Sequence, residues 1–133
     1  MQGDRPLIRP YRAGDDDASL EQAICRAWSL DLPDPATEAL IGRYYLHDTL
    51  SRSTATFVAE IEGRARGLVA CALEGAHRGL HPRHCDVAQA AWLALQDRPD
   101  GLYALSLFAA LDAVDAELIA QAPAFEAAVT LFF

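Results

Sequence analysis

The stretch TATFVAEIEGRARGLVACAL, residues 54–73, predicts two antiparallel β-strands joined by a tight turn. Thr54 to Ile61 is rich in β-forming residues, and Arg64 to Leu73 is the returning strand. Between them stands Glu62-Gly63, a pair suited to a two-residue hairpin turn. Gly67 inside the returning strand predicts a β-bulge. This hairpin is the clearest local pattern in the chain and sets the fold class.

Ahead of the hairpin, the sequence predicts a short strand and two helices. Residues 7–11 suit an edge strand, where Pro10 is tolerated. The acidic run at residues 15–17 is expected to be a solvated helix cap. Apolar residues then follow the helical spacing, at Leu20, Ala23, Ile24, Ala27 and Trp28. Asp34 before Pro35 is the N-cap pair that opens the second helix.

After the hairpin, residues 74–122 predict a helical insert. Residues 75–84 suit a loop, 87–95 a helix and 98–101 a turn, and a longer alanine-rich helix ends before Pro123. The apolar, β-leaning residues 124–133 predict a last strand. We therefore expect one mixed α/β domain over residues 1–133, with a mostly antiparallel sheet, two N-terminal helices and the helical insert before the last strand.

Composition excludes several classes of protein. The net charge is −8, from 19 acidic against 11 basic residues, which argues against binding to nucleic acid or anionic membranes, since both need clustered positive charge. The acidic balance suits a cationic small molecule or peptide. Three widely spaced cysteines suggest no disulfide framework, and no signal segment or membrane span is evident. These features predict a cytoplasmic protein.

Three segments together resemble the GNAT-type N-acetyltransferases. They are the opening Ile8-Arg9-Pro10-Tyr11-Arg12 with the acidic run at 15–17, the hairpin over residues 57–69, and the last segment over residues 125–133. The resemblance covers residues 7–73 and 124–133. It implies a partial GNAT fold in which residues 74–122 are an elaboration between the third and fourth strands.

The family's defining motif does not occur in the 133 residues. That motif is a Gln/Arg-x-x-Gly-x-Gly/Ala loop after the fourth strand, whose backbone N–H groups cradle the coenzyme A pyrophosphate. The resemblance therefore implies the N-terminal portion of an enzyme that transfers acetyl from acetyl-coenzyme A to an amine on a small molecule or peptide. We expect the chain alone to be inactive and to bind acetyl-coenzyme A weakly.

The resemblance also implies roles for particular residues. Glu126 matches the neighbourhood of a general base, although a solvated glutamate at a strand end is the simpler interpretation. Backbone N–H groups of Phe132 and Phe133 are candidates for the donor that holds the thioester oxygen of the bound cofactor. The aromatic side chains of Trp28, Tyr44 and Tyr45 are candidate walls of the substrate pocket, or ordinary core residues.

Two further hypotheses remain open. The side chains of His77, His81, His84 and Cys85 could offer zinc four ligands, but one short loop seldom closes such a site, and we expect no metal. The alternative function is a non-catalytic interaction or dimerisation module that uses an open sheet edge. Residues 129–133 carry no charge, proline or glycine, and therefore predict a homo-oligomer formed through the last strand.

Overall fold

The computed structural model of this chain describes residues 5–28, 31–73, 81–122 and 127–133. Within these ranges strands and helices follow one another in the predicted order, so the mixed α/β class is confirmed. The elements are β1 (Leu7–Pro10), α1 (Asp17–Trp28), α2 (Pro35–Arg52), β2 (Ala55–Ile61), β3 (Arg64–Leu73), α3 (Pro82–Gln96), α4 (Pro99–Gln121) and β4 (Ala127–Phe132).

The strands form one antiparallel sheet in the order β1-β2-β3-β4. The predicted hairpin is confirmed: Glu62 and Gly63 both have positive φ, at 51° and 73°, as a type I′ turn requires. The predicted bulge lies beside Gly67. Ala59 pairs with Gly67, but the next residue of β2 pairs with Ala65, so Arg66 is the extra residue.

Helices α1 and α2 cover one face of this sheet. Alternate residues of the strands point inward from that face and meet the apolar stripes of the two helices. This core cluster contains Leu20, Ile24, Leu46, Leu50, Val58, Ala65, Leu68 and Ala70. The residues between them on the strands face the opposite side, where Ile8, Phe57, Leu73 and Val129 are exposed.

On the covered face, Arg9 links β1 to β2 and to the residue before α1. Its guanidinium makes two bonds to the Asp16 carboxylate, at 2.7 and 2.8 Å, and a third to Glu60 at 2.6 Å. Asp16 is 3 % exposed, so the expectation of a fully solvated acidic cap is wrong at this residue. Hydrogen bonding to Arg9 holds the pKa of Asp16 below its usual value. The arginine thereby ties the start of α1 to β1 and β2.

The insert packs on α2 rather than on the sheet. Within the described residues, α3 and α4 form a second core cluster with α2, made of Ile41, Leu95, Ala104, Leu105 and Phe108. Gly101 allows the start of α4 to lie close to the end of α3, because a Cβ at this position would lie 1.9 Å from the carbonyl oxygen of Leu95. The predicted loop and turn are shorter than expected, since α3 begins at Pro82 and α4 at Pro99.

Candidate functional site

The carboxyl end of β4 together with Phe133, residues 130–133, is the first candidate site. Val129 lies opposite Cys71 and Leu131 opposite Ala70, so Thr130 is an extra residue that makes a bulge in β4. Bulges bend a strand and interrupt its regular pairing, and they recur beside active sites. The bulge therefore sets the last residues of β4 apart from a regular edge strand.

The backbone N–H groups of the two candidate phenylalanines point in different directions. Phe133 and Leu68 exchange two backbone hydrogen bonds, at 3.0 and 3.1 Å. Because such bonded pairs alternate with non-bonded pairs along an antiparallel ladder, the N–H of Phe132, opposite Val69, points away from β3. The N–H of Phe133 is thus used inside the sheet. The N–H of Phe132 remains at the outer edge, where no strand of the described residues pairs with it.

Gly67 positions this end of β4. A Cβ on Gly67 would lie 2.8 Å from the carbonyl oxygen of Phe133, closer than real Cβ atoms approach. Only glycine at this position lets β4 end so close to β3. The sequence pattern indicated the bulge at Gly67 but not this second constraint.

Glu126, the candidate base, lies outside the described residues, so its role stays a prediction. The three candidate aromatics come together beside the insert: Trp28 and Tyr45 rings are 4.3 Å apart, and Tyr44 stacks on Phe108 at 5.4 Å. All three are half-buried against a hydrophobic core cluster. Burial raises the pKa of Tyr44 and of Tyr45 to about 12, so neither ionises near neutral pH.

Only one of these aromatics borders an apolar cavity among the pockets described. Trp28 and residues of α4 line a cavity of about 150 Å³, and neither Tyr44 nor Tyr45 reaches it. A second apolar hollow, of about 210 Å³, lies between β1, β2, β3 and the end of β4. Its lining includes Ile8, Phe57, Val69 and Phe133. The apolar surface of the sheet thus continues to the end of β4.

A buried chain of three titratable groups joins α1, α2 and α3. His47 is 2 % exposed, and its Nδ1 lies 2.9 Å from Nδ1 of His84, while its Nε2 lies 3.1 Å from Oε1 of Glu21. As a carboxylate, Glu21 only accepts, so Nε2 of His47 donates to it. Neutral His47 must then accept at Nδ1 the proton that His84 donates. The pair therefore holds a single proton between its two Nδ1 atoms.

This arrangement leaves Nε2 of neutral His84 as a proton acceptor. Within the described residues no hydrogen bond reaches that atom. His84 lines a polar cavity of about 290 Å³ together with Tyr11, Ser53 and His81. This cavity lies where β1 ends and β2 begins, whereas Phe132 lies on β4, at the other edge of the sheet. The chain of groups can exchange a proton with a molecule bound there, but it is separate from the end of β4.

The sequence pattern placed His84 in a loop and did not connect it with His47. The available indication was the histidine on the inward side of α2, which needs a polar partner when buried. Among the described residues, no three histidine, cysteine, aspartate or glutamate side chains come together as metal ligands. His77 lies outside those residues, so the zinc hypothesis is untested for the full set.

Comparisons with protein-family models, with curated protein sequences and with solved structures find no match to this chain. Across the four described ranges, no helix combines the length and apolar character that crossing a bilayer requires. The candidate sites therefore rest on the geometry of this chain and on the resemblance in its sequence.

The histidine pair predicts a loss of stability in mild acid. Burial, and then the neighbouring His47, lowers the pKa of His84, although Asp17 opposes this and Arg83 and His81 add to it. Unfolded histidine titrates near about 6.5, so the unfolded chain binds this proton first as the pH falls. We expect the wild-type melting temperature to fall between about pH 7 and pH 5, and His84→Gln to flatten that slope.

The comparison variant is His81→Gln, because His81 is exposed and has the smallest of these effects on the pKa of His84. Its melting temperature, measured by circular dichroism, should keep most of the wild-type dependence on pH. An unchanged slope in His84→Gln would contradict the shared-proton arrangement.

Proposed function

We propose that this domain is the amine-acceptor portion of a GNAT-type N-acetyltransferase, which transfers acetyl from acetyl-coenzyme A to an amine. The observation that carries the proposal is the end of β4: a bulge at Thr130, followed by the N–H of Phe132 on the outer edge. The resemblance requires a backbone donor at this point in the fourth strand. The order of elements and the antiparallel sheet provide further support.

The chemistry requires one donor and one proton acceptor. The amine nitrogen attacks the thioester carbon, the C–N bond forms, and the C–S bond breaks to release the coenzyme A thiolate. The thioester oxygen becomes negatively charged in the tetrahedral intermediate. It accepts a hydrogen bond from a backbone N–H, for which that of Phe132 is the candidate. The amine proton passes to a base, for which Glu126 is the candidate. The net charge of −8 favours a cationic amine as the acceptor.

Acetyl-coenzyme A is expected to bind weakly but at a defined place. Because the 133 residues contain no pyrophosphate motif, the affinity should be millimolar rather than micromolar. In a titration followed by two-dimensional amide NMR, we expect the largest shifts at Thr130, Phe132 and Gly67. Shifts confined to the cavity of His84, or micromolar affinity by calorimetry, would contradict the proposal.

Two variants at one position separate the backbone from the side chain. Phe132→Pro removes the backbone N–H without removing a hydrogen bond to β3, whereas Phe132→Ala keeps this N–H and removes only the phenyl ring. Weak binding should survive in Phe132→Ala and disappear in Phe132→Pro. Equal behaviour of the two variants would show that this N–H does not contact the ligand.

The second candidate function is an interaction module that associates through β4. It is favoured by the exposed apolar side of the sheet, on which Ile8 is 64 % and Val129 63 % exposed. Within the described residues β4 pairs on one side only, and it contains no charge, proline or glycine. Such an edge can pair with the same edge of a second copy.

Val129→Lys tests this association, because a lysine on an edge strand opposes pairing with another strand. We expect the wild-type chain to sediment as a dimer or larger oligomer at micromolar concentration, and Val129→Lys to shift it toward the monomer. Val129→Thr, which keeps the β-branched shape without a charge, is the control. A monomeric wild type in sedimentation equilibrium would contradict the module function.

A further inference from the structure

The outer half of α4 extends beyond the packed part of the domain. The buried residues of this helix end at Phe108, and every residue from 109 to 121 is exposed. At a rise of about 1.5 Å per residue, this exposed segment is about 20 Å long. A solvated helix of this length is usually polar, but this segment is largely apolar.

Four of the exposed apolar side chains of α4 form one stripe. Leu107, Leu111, Val114 and Leu118 follow one another at intervals of four, three and four residues, and each is exposed. This is the spacing of the a and d positions of a coiled-coil heptad, which place side chains along one seam facing a partner helix. We call these four residues the α4 stripe.

The charges beside the α4 stripe are all negative. With Leu111 and Leu118 at a positions, Asp115 occupies an e position and Glu117 a g position. Residues 99–121 contain no lysine, arginine or histidine. In coiled coils the e and g positions choose the partner by charge, so this seam fits a helix with basic residues at those positions.

A cavity lies at the inner end of the stripe. The cavity of about 150 Å³ is bordered by Leu107 and Leu111 of the stripe and by Trp28, Leu32 and Tyr103. An apolar side chain from a helix lying along the stripe would enter it. Such a pocket supplies the anchor that a helix-in-groove complex needs.

We propose that the α4 stripe is a docking site for a basic amphipathic helix of another protein, with apolar a and d residues and arginine or lysine at e and g. The inference is independent of the proposed acetyltransferase function, because the stripe lies on the insert and not at the end of β4. A second copy of this chain fits poorly. Two α4 seams would both carry only negative charges beside the stripe, so neither a parallel nor an antiparallel pair could form oppositely charged contacts.

The test uses two synthetic helical peptides with leucine at a and d. One carries arginine at e and g, and the other carries glutamate. We expect the arginine peptide to bind the full chain in fluorescence anisotropy, and the glutamate peptide to bind at least about tenfold more weakly. Raising the salt concentration should weaken binding of the arginine peptide, because salt screens charge pairs at the surface.

Two sets of variants locate the binding. The double substitution Leu111→Ser and Val114→Ser should weaken binding of the arginine peptide at least about tenfold, since apolar burial is lost. Leu102→Ser is the matched control, because Leu102 is exposed on the opposite side of α4 and should leave the affinity unchanged. Asp115→Arg combined with Glu117→Arg should reverse the preference between the two peptides.

Four outcomes of the peptide measurements would overturn the proposal. They are no binding of either peptide, equal affinity for both, an equal loss in Leu102→Ser, and an unreversed preference in the charge-reversed variant. Self-association that the Leu111 and Val114 substitutions abolish would also overturn it, because a second copy would then occupy the stripe.

Discussion

The buried guanidinium of Arg9 is the interaction on which the arrangement of this fold depends. It lies on the covered face of the sheet and is neutralised by Asp16 at the start of α1 and by Glu60 on β2. A buried charge without its partners is strongly unfavourable, so the turn after β1 must bring Asp16 back over this face. Helix α1 therefore starts on the side where its apolar stripe meets Val58 and Leu68.

Covering one face in this way leaves the other face and the outer side of β4 to solvent within the described residues. The bulge at Thr130 and the N–H of Phe132 lie at that open side. The insert does not cover it, because α3 and α4 pack on α2 instead. The described residues thus present open surfaces in two separate places, at the sheet and β4 and along the outer half of α4. Each surface offers a different chemistry, a backbone donor in the first case and an apolar seam with acidic flanks in the second.

The elements were predictable from the sequence where local chemistry decides them. Glu62-Gly63 forms the predicted turn because both residues take positive φ, and Asp34 caps α2 by accepting from the N–H of Ala36. The contacts that depend on distant residues were not predictable. The sequence predicts a solvated cap at Asp16, but the side chain is buried in its ion pair with Arg9. Nothing in the local sequence indicates that His47 contacts His84, 37 residues away. The roles proposed for Phe132 and Glu126 came from the resemblance, and the structure adds the direction of the Phe132 N–H.

The central claim is that, among the described residues, β4 pairs on one side only and leaves the N–H of Phe132 at an open edge. Amide hydrogen exchange, followed residue by residue by NMR on the Val129→Lys variant, in which pairing with a second copy through β4 is opposed, tests it most directly. The N–H groups of Leu68 and Phe133 should be protected, because they bond to each other's carbonyls, and that of Phe132 should exchange rapidly. Protection of Phe132 equal to that of Phe133 would contradict the account, since another part of the chain would then cover this edge.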